Sequence, residues 1–284
     1  MKEKTAYVCQ ECGYTSVRWV GRCPACGSWN SMVEEKEKTS LRVVSKNAKP
    51  KPLDRCQEGE FTRLSTGFKS LDQALGGGIV RGQVVLLAGE PGIGKSTLLS
   101  QVGSFFSLMY GSVLYVSGEE SEYQVSLRAK RLGLRTSRFY ITSETNLESL
   151  LELLREESYS LVIVDSIQTL FSSSLESSPG SVSQVRECAF RLAQACKELN
   201  IPLFLVGQVN KEGVVAGPKV LEHLVDTLLH FEGERFSFHR VVKVVKNRFG
   251  ASSTIAVFKM TSAGLEEVPE PSAFFLQERV VMPG

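Results

Sequence analysis

The sequence predicts an α/β protein in which a mainly parallel sheet flanked by helices follows a small four-cysteine module. Three observations carry that prediction. Short apolar runs such as Val84-Val85-Leu86-Leu87-Ala88 and Leu161-Val162-Ile163-Val164 recur between stretches of helical periodicity, the pattern of buried strands in a parallel sheet. One of those strands leads into Gly89-Glu90-Pro91-Gly92-Ile93-Gly94-Lys95-Ser96-Thr97 and then into Leu98-Leu99-Ser100-Gln101-Val102, which reads as the first turns of a helix. Four cysteines close to the start are paired as Cys9-Gln10-Glu11-Cys12 and Cys23-Pro24-Ala25-Cys26.

The chain has 284 residues, enough for one large domain and a small appendage. Hydrophobic residues make up 42% and charged residues 23%, ordinary values for a globular protein. No apolar run is long enough to predict a transmembrane helix. The opening Met1-Lys2-Glu3-Lys4-Thr5 leads into cysteines rather than an apolar stretch, so no secretory signal is predicted and a cytoplasmic protein is expected. A net charge of +2 is too small to argue for nucleic-acid binding. Its distribution is uneven, however. Residues 1–60 hold 11 Lys or Arg against 8 Asp or Glu, a weak pointer to a nucleic-acid contact at the front.

Residues 1–33 are read as a zinc finger. Two CxxC pairs at short separation can close a tetrahedral thiolate cage, with Cys9, Cys12, Cys23 and Cys26 as ligands. A reducing compartment disfavours disulfides, and iron shares the preference for four thiolates. Gly13 and Gly27, each following the second cysteine of a pair, suit tight turns that bring amides toward the sulfurs. So small a segment cannot bury much of a core, so its folding is expected to depend on the metal, with Trp19 and Trp29 as apolar covers of the cage. Its ligands do not say whether it touches DNA, protein or the neighbouring domain. Residues 34–60, with Glu34-Glu35-Lys36-Glu37-Lys38 and Lys49-Pro50-Lys51-Pro52, read as a flexible linker holding an exposed Cys56. Residues 61–270 form the main domain, and 271–284 are a tail.

The glycine-rich loop carries the chemistry. Its glycines let successive amides face one concavity that holds phosphate oxygens, and the following helix adds its positive end. Lys95 is expected to reach the terminal phosphates of ATP, and the Ser96 hydroxyl to ligate Mg2+. Asp165, ending the strand 161–165, is expected to hold the magnesium through its water shell. Strands are also expected at 112–117, 139–142, 201–207, 227–231, 236–246 and 251–260. Helices are expected at 123–132, 147–155 and 182–199, the last turning Val185, Cys188, Ala189, Leu192 and Cys196 to a core. Residues 171–183 are serine-rich and lack a core pattern. The turn Lys246-Asn247-Arg248-Phe249-Gly250 puts two cations at a hairpin tip, where they can enter a neighbouring subunit and neutralise charge on a transferred phosphate.

The lead-in Leu64-Ser65-Thr66-Gly67…Leu71-Asp72…Leu75-Gly76-Gly77-Gly78 before the phosphate loop resembles the RecA/DnaB superfamily of ATPases. That resemblance implies that Glu119, with Glu120 as runner-up, polarises the attacking water. It also implies that Gln208 senses the terminal phosphate and that loops after the strand ends hold single-stranded DNA, with Arg186, Lys211 and Lys219 as candidate contacts. The cysteine pairs, the phosphate loop and Lys246-Asn247-Arg248-Phe249-Gly250 together are similar to the RadA (Sms) family of bacterial DNA repair proteins, in the same order along the chain. The resemblance implies a hexameric ring, an ATP-driven motor that promotes branch migration of recombination intermediates with helicase-like movement, with room for a recombinase partner. It also implies that Lys246 and Arg248 act in ATP hydrolysis or in its coupling to DNA. Such proteins usually continue into a Lon-protease-like domain, which is expected to be absent here, since the chain stops at Pro283-Gly284. Other readings remain: a clock-type or replicative ATPase of the same superfamily, or a nucleotide-switched adaptor whose zinc module binds protein.

Overall fold

The structure, a computed structural model, describes residues 4–37, 62–135, 137–208, 219–233 and 238–269. Cys56, Lys211, the tail and most of the expected linker lie outside them. The front is a three-stranded antiparallel ribbon, β1 (Lys4–Cys9), β2 (Thr15–Ser16) and β3 (Met32–Glu37), in the order β2-β1-β3. β3 runs across the predicted domain boundary at residue 33. Glu34 to Glu37 are poor strand formers by composition, but their backbone pairs with β1 from Tyr7↔Glu34 to Lys4↔Glu37.

The main domain is built on nine strands in the order β12-β11-β10-β9-β4-β8-β7-β5-β6. In chain order the elements are α1 (Lys69–Ala74), β4 (Val84–Gly89), α2 (Lys95–Met109), β5 (Val113–Ser117), α3 (Glu122–Arg131) and β6 (Phe139–Thr142). Next come α4 (Leu147–Glu156), β7 (Leu161–Asp165), α5 (Val182–Glu198), β8 (Leu203–Gln208) and α6 (Lys219–Leu224). The chain closes with β9 (Thr227–Glu232), β10 (His239–Asn247), β11 (Ile255–Thr261) and β12 (Gly264–Glu267). β9, β4, β8, β7, β5 and β6 are mutually parallel, and β10 to β12 extend the sheet antiparallel. β12 was not among the expected strands.

The strand period of two explains the core. Along β4, Val85 and Leu87 face one layer with Leu98, Phe106, Tyr115 and Phe231, while Val84, Leu86 and Ala88 face the other with Leu150, Val185, Leu192 and Cys196. Both faces are covered, so the strand reads as a continuous apolar run. α5 begins at Ser181, whose side chain accepts from the Gln184 amide, and buries Cys188 and Cys196 as expected. The serine-rich segment is tied down instead of lying loose. Ser172 is fully buried, its amide donates to Gln184 Oε1 (2.8 Å), and its hydroxyl donates to Glu148 Oε1 (2.8 Å). A hydrogen-bonded serine packs without leaving an apolar pattern, which is why the sequence hid it.

Candidate nucleotide site and metal centre

Register brings the predicted residues to one edge of the sheet. Gly89 at the end of β4 lies beside Gln208 at the end of β8, and Ser117 at the end of β5 lies beside Asp165 at the end of β7. These are the carboxyl ends of parallel strands, where open α/β sheets bind ligands. A cleft of about 460 Å³ opens there, lined by Lys95, Ser96, Glu119, Asp165, Gln208 and Arg131 among others. Gly94 precedes α2 with φ 117°, a left-handed conformation that favours glycine.

Lys95 is buried, and its Nζ donates to the carbonyl oxygens of Gly89 (2.7 Å) and Glu90 (2.8 Å). Burial lowers its pKa, while the carboxylates of Asp165, Glu119 and Glu90 pull the other way. Glu119 Oε1 accepts from Ser166 Oγ (2.7 Å) and from Gln208 Nε2 (2.6 Å). Glu120 is differently placed: its carboxylate forms a close ion pair with Arg128. α3 is started by a capping box in which Ser121 and Gln124 exchange side-chain and backbone hydrogen bonds. Tyr115, which the sequence reading passed over, is fully buried and donates to Asp165 Oδ2 (2.5 Å). Burial, then the Asp165 charge, pushes its phenol well above the ordinary value, so the donor keeps its proton. A hydroxyl in an otherwise aliphatic strand, two residues before the strand end, was the signal that could have found it.

Lys246 and Arg248 are not brought to this cleft. Asn247 pairs with Thr227, and Thr227 pairs with Val85, so the hairpin tip sits at the amino end of β4. Lys246 does not project as a free tip: its Nζ donates to the carbonyls of Glu222 (2.5 Å) and Val225 (2.7 Å). Arg248 Nη1 lies 3.2 Å from Asp226 Oδ1, which also takes Lys197 Nζ at 3.0 Å. Arg63 Nη2 donates to the Phe249 carbonyl (2.6 Å), fixing the turn. Arg186 is exposed on α5 beside the ribbon, lining a cleft with Ala6, Val8 and Phe190, and Lys219 opens α6.

In the ribbon the four sulfurs of Cys9, Cys12, Cys23 and Cys26 lie within 4.8 Å of one another. Cys9 to Cys26 and Cys12 to Cys23 each measure 3.6 Å, close to the spacing of about 3.8 Å across a tetrahedral zinc tetrathiolate with bonds of about 2.3 Å. The donor set therefore fits zinc. Gly13 and Gly27, at φ 72° and 77°, donate their amides to the carbonyls of Cys9 and Cys23 (2.8 Å each), closing the two turns. Hydrogen bonds from Ser28 bring the Cys26 thiol down to about 6, while burial pushes Cys12 up to about 12. Despite its burial, Cys9 is also lowered, by hydrogen bonds to Ser31 and to backbone amides, so the sulfurs differ in how readily they ionise.

The expected covers are wrong. Trp19 is 55% and Trp29 71% exposed, and the cage is instead covered by Tyr7, Val20 and Met32. The cysteines and Met32 fill the small interior, leaving no room for an indole. Trp29 stands outside with the Arg22 guanidinium 5.7 Å above its ring.

Residues 49–214 match the family described as an AAA domain, and residues 7–34 match a rubredoxin metal binding domain. The DNA repair protein RadA of Aquifex aeolicus is 59% identical over 285 residues, which cover 100% of this chain and 64% of that protein. The protein of the same name from Bacillus subtilis is 47% identical, over 98% of this chain and 62% of its own length. The chain thus spans somewhat less than two thirds of the relatives it matches, and they bear the family name to which the sequence motifs pointed. A KaiC-like protein from Pyrococcus horikoshii shares the fold, with a TM-score of 0.60 at 19% identity, over 74% of this chain and 100% of that one. Among the described residues no helix is long and apolar enough to cross a membrane.

Proposed function

The chain belongs to the AAA-domain family, and from that premise we propose that it hydrolyses ATP to drive a ring-shaped motor on single-stranded DNA in repair and recombination. Branch migration of recombination intermediates is the work assigned to it, in the cytoplasm, with a hexamer as the working assembly. The observation that carries this reading is the convergence of Lys95, Ser96, Glu119, Asp165 and Gln208 on one cleft at the carboxyl ends of the strands. The relatives' name, DNA repair protein, supports DNA as the substrate of the work.

The amides of residues 89–97 and the amino end of α2 cradle the phosphates. Lys95 leaves the Gly89 and Glu90 carbonyls for the terminal phosphates, whose negative charge offsets the burial that disfavours its ammonium. Ser96 and Asp165 would hold Mg2+, which when bound would neutralise phosphate charge. Glu119 orients the attacking water, and Gln208, already bonded to Glu119, reports the terminal phosphate to it. Lys246 and Arg248 sit at the far edge of their own sheet, so they serve the nucleotide of an adjacent subunit. To do so, Lys246 gives up the Glu222 and Val225 carbonyls. Arg186, Lys211 and Lys219 are the candidate DNA contacts. The ribbon sits against α5 beside Arg186.

The test is ATP turnover with and without single-stranded DNA, for this chain and for Lys246→Ala and Arg248→Ala. Turnover is expected to rise with DNA. Each variant is expected to keep nucleotide binding and to lose turnover by about 10³-fold or more, as for a missing trans cation. Turnover indifferent to DNA, or variants as active as the parent, would overturn the motor reading.

A further inference from the structure

We infer that Tyr115 and Arg128 are positioning residues that set two of the three acidic groups of the cleft to different tasks, aiming Asp165 at the metal and withdrawing Glu120 from the water. The inference rests on the nucleotide reading above and deepens it. Four side chains, from β5, β7, α3 and the turn before α3, make one continuous chain of polar contacts. Tyr115 OH donates to Asp165 Oδ2 (2.5 Å), Arg128 Nη2 donates to Tyr115 OH (3.3 Å), and Arg128 Nη1 pairs with Glu120 Oε2.

A buried tyrosine needs some acceptor, so a purely structural hydroxyl is the reading to beat. Two features go beyond it. The acceptor is a carboxylate that lines the cleft, not a backbone carbonyl of the core. And the Arg128 side chain is only 10% exposed, while its Nε is buried with no hydrogen-bond partner among the described residues. An arginine placed to satisfy itself does not strand a donor, since a buried unmet donor costs about 1–3 kcal/mol. Its fork is instead fixed by its two partners, the phenol and Glu120.

The consequences follow from valence. Tyr115 occupies Asp165 Oδ2, fixes the plane of the carboxylate, and leaves Oδ1 without a protein partner among the described residues. That oxygen is the one available to a metal-bound water. Arg128 holds Glu120 by its carboxylate, so of the two adjacent glutamates only Glu119 faces Ser166 and Gln208 at the strand ends. Phe139, stacked on the Tyr115 ring at 5.8 Å, keeps the phenol from turning away.

The experiment measures equilibrium ATP binding by calorimetry while Mg2+ is titrated, for the parent chain, Tyr115→Phe and Arg128→Gln. Phenylalanine keeps the ring and its packing and removes only the hydroxyl. The Mg2+ concentration for half-maximal binding is expected to rise about tenfold in Tyr115→Phe, the lower end of what losing an outer-shell partner costs, with metal-free ATP affinity unchanged. Arg128→Gln is expected to show a smaller rise of the same kind. A folded Tyr115→Phe with the parent's Mg2+ dependence overturns the inference. Should Tyr115→Phe not fold, an unchanged Mg2+ dependence in Arg128→Gln overturns it in the same way. A parent chain that binds no ATP sinks the nucleotide reading itself, which is a separate outcome.

Discussion

In the sheet domain Tyr115, Phe106, Phe204, Phe231 and Phe258 are wholly buried, whereas in the ribbon both indoles, Trp19 and Trp29, stand outside. The two regions solve the same problem by different means. The sheet covers both faces with apolar layers, each buried Leu, Ile, Val or Phe contributing about 1.5–3 kcal/mol. The only hydrophobic residues the ribbon buries among those described are Cys9, Cys23 and Met32, too little to offset the ordering of its backbone. What closes it is a set of four thiolates. The difference teaches that an aromatic residue near a metal cage is not a core residue by default, because the cage itself supplies the interior.

The sharpest way to break this comparison is to remove the metal. Apparent free energies of zinc binding in small tetrahedral sites are about 10–16 kcal/mol, so chelation is expected to unfold β1 to β3 completely. The sheet domain, with its own core, is expected to keep its thermal midpoint and its ATP affinity. Amide spectra of the chelated protein check both at once: ribbon resonances collapse and sheet resonances stay put. Ribbon resonances that persist without metal would show that Tyr7, Val20 and Met32 suffice, and the contrast would be lost.

The same contrast decides what the sequence could reveal. The phosphate loop and the cysteine pairs were legible because phosphate and metal each demand fixed residue types at fixed spacing. The parallel strands were legible because burial on both faces leaves continuous apolar runs. β3 was not, since Glu34 to Glu37 are held by backbone pairing with β1 rather than by side chains that favour strands. The inward fold of Lys246 onto Glu222 and Val225 was hidden for a different reason: its partners are carbonyl oxygens, which every residue carries. The Tyr115–Asp165 contact joins positions 50 residues apart, so the sequence offered at most the isolated hydroxyl in a buried strand and nothing that named its partner.

A middle-sized effect is expected at Lys95, the buried lysine of the sheet domain's cleft. Lys95→Ala is expected to lower ATP turnover about 10²–10³-fold, as for loss of one preorganised charge donor. A pH profile separates this from a packing defect. Burial lowers the Lys95 pKa, and bound phosphates raise it again, so ATP binding takes up a proton where the free lysine is partly neutral. Affinity is therefore expected to fall as pH rises from neutrality through that lowered pKa, and the Lys95→Ala chain is expected to lack this fall. Identical pH profiles for the two chains would remove Lys95 from the phosphates.

The smallest effect returns to the ribbon and to the residue the sequence misplaced. If the cage is closed by sulfur and Met32, Trp29→Ala removes only an exposed ring and its contact with Arg22, a cation–π pair of about 0.5–1 kcal/mol at exposed sites. Met32 is only 5% exposed, and truncating a buried methionine costs about 2–5 kcal/mol. The ribbon's resistance to chelator is expected to hardly change in Trp29→Ala and to fall clearly in Met32→Ala, measured as the rate of metal transfer to a chromophoric chelator. Equal losses in both would mean that the indole does lie over the cage in solution. The ribbon would then build its interior from aromatic side chains after all, as the sheet domain does, and the difference between the two regions would be one of size alone.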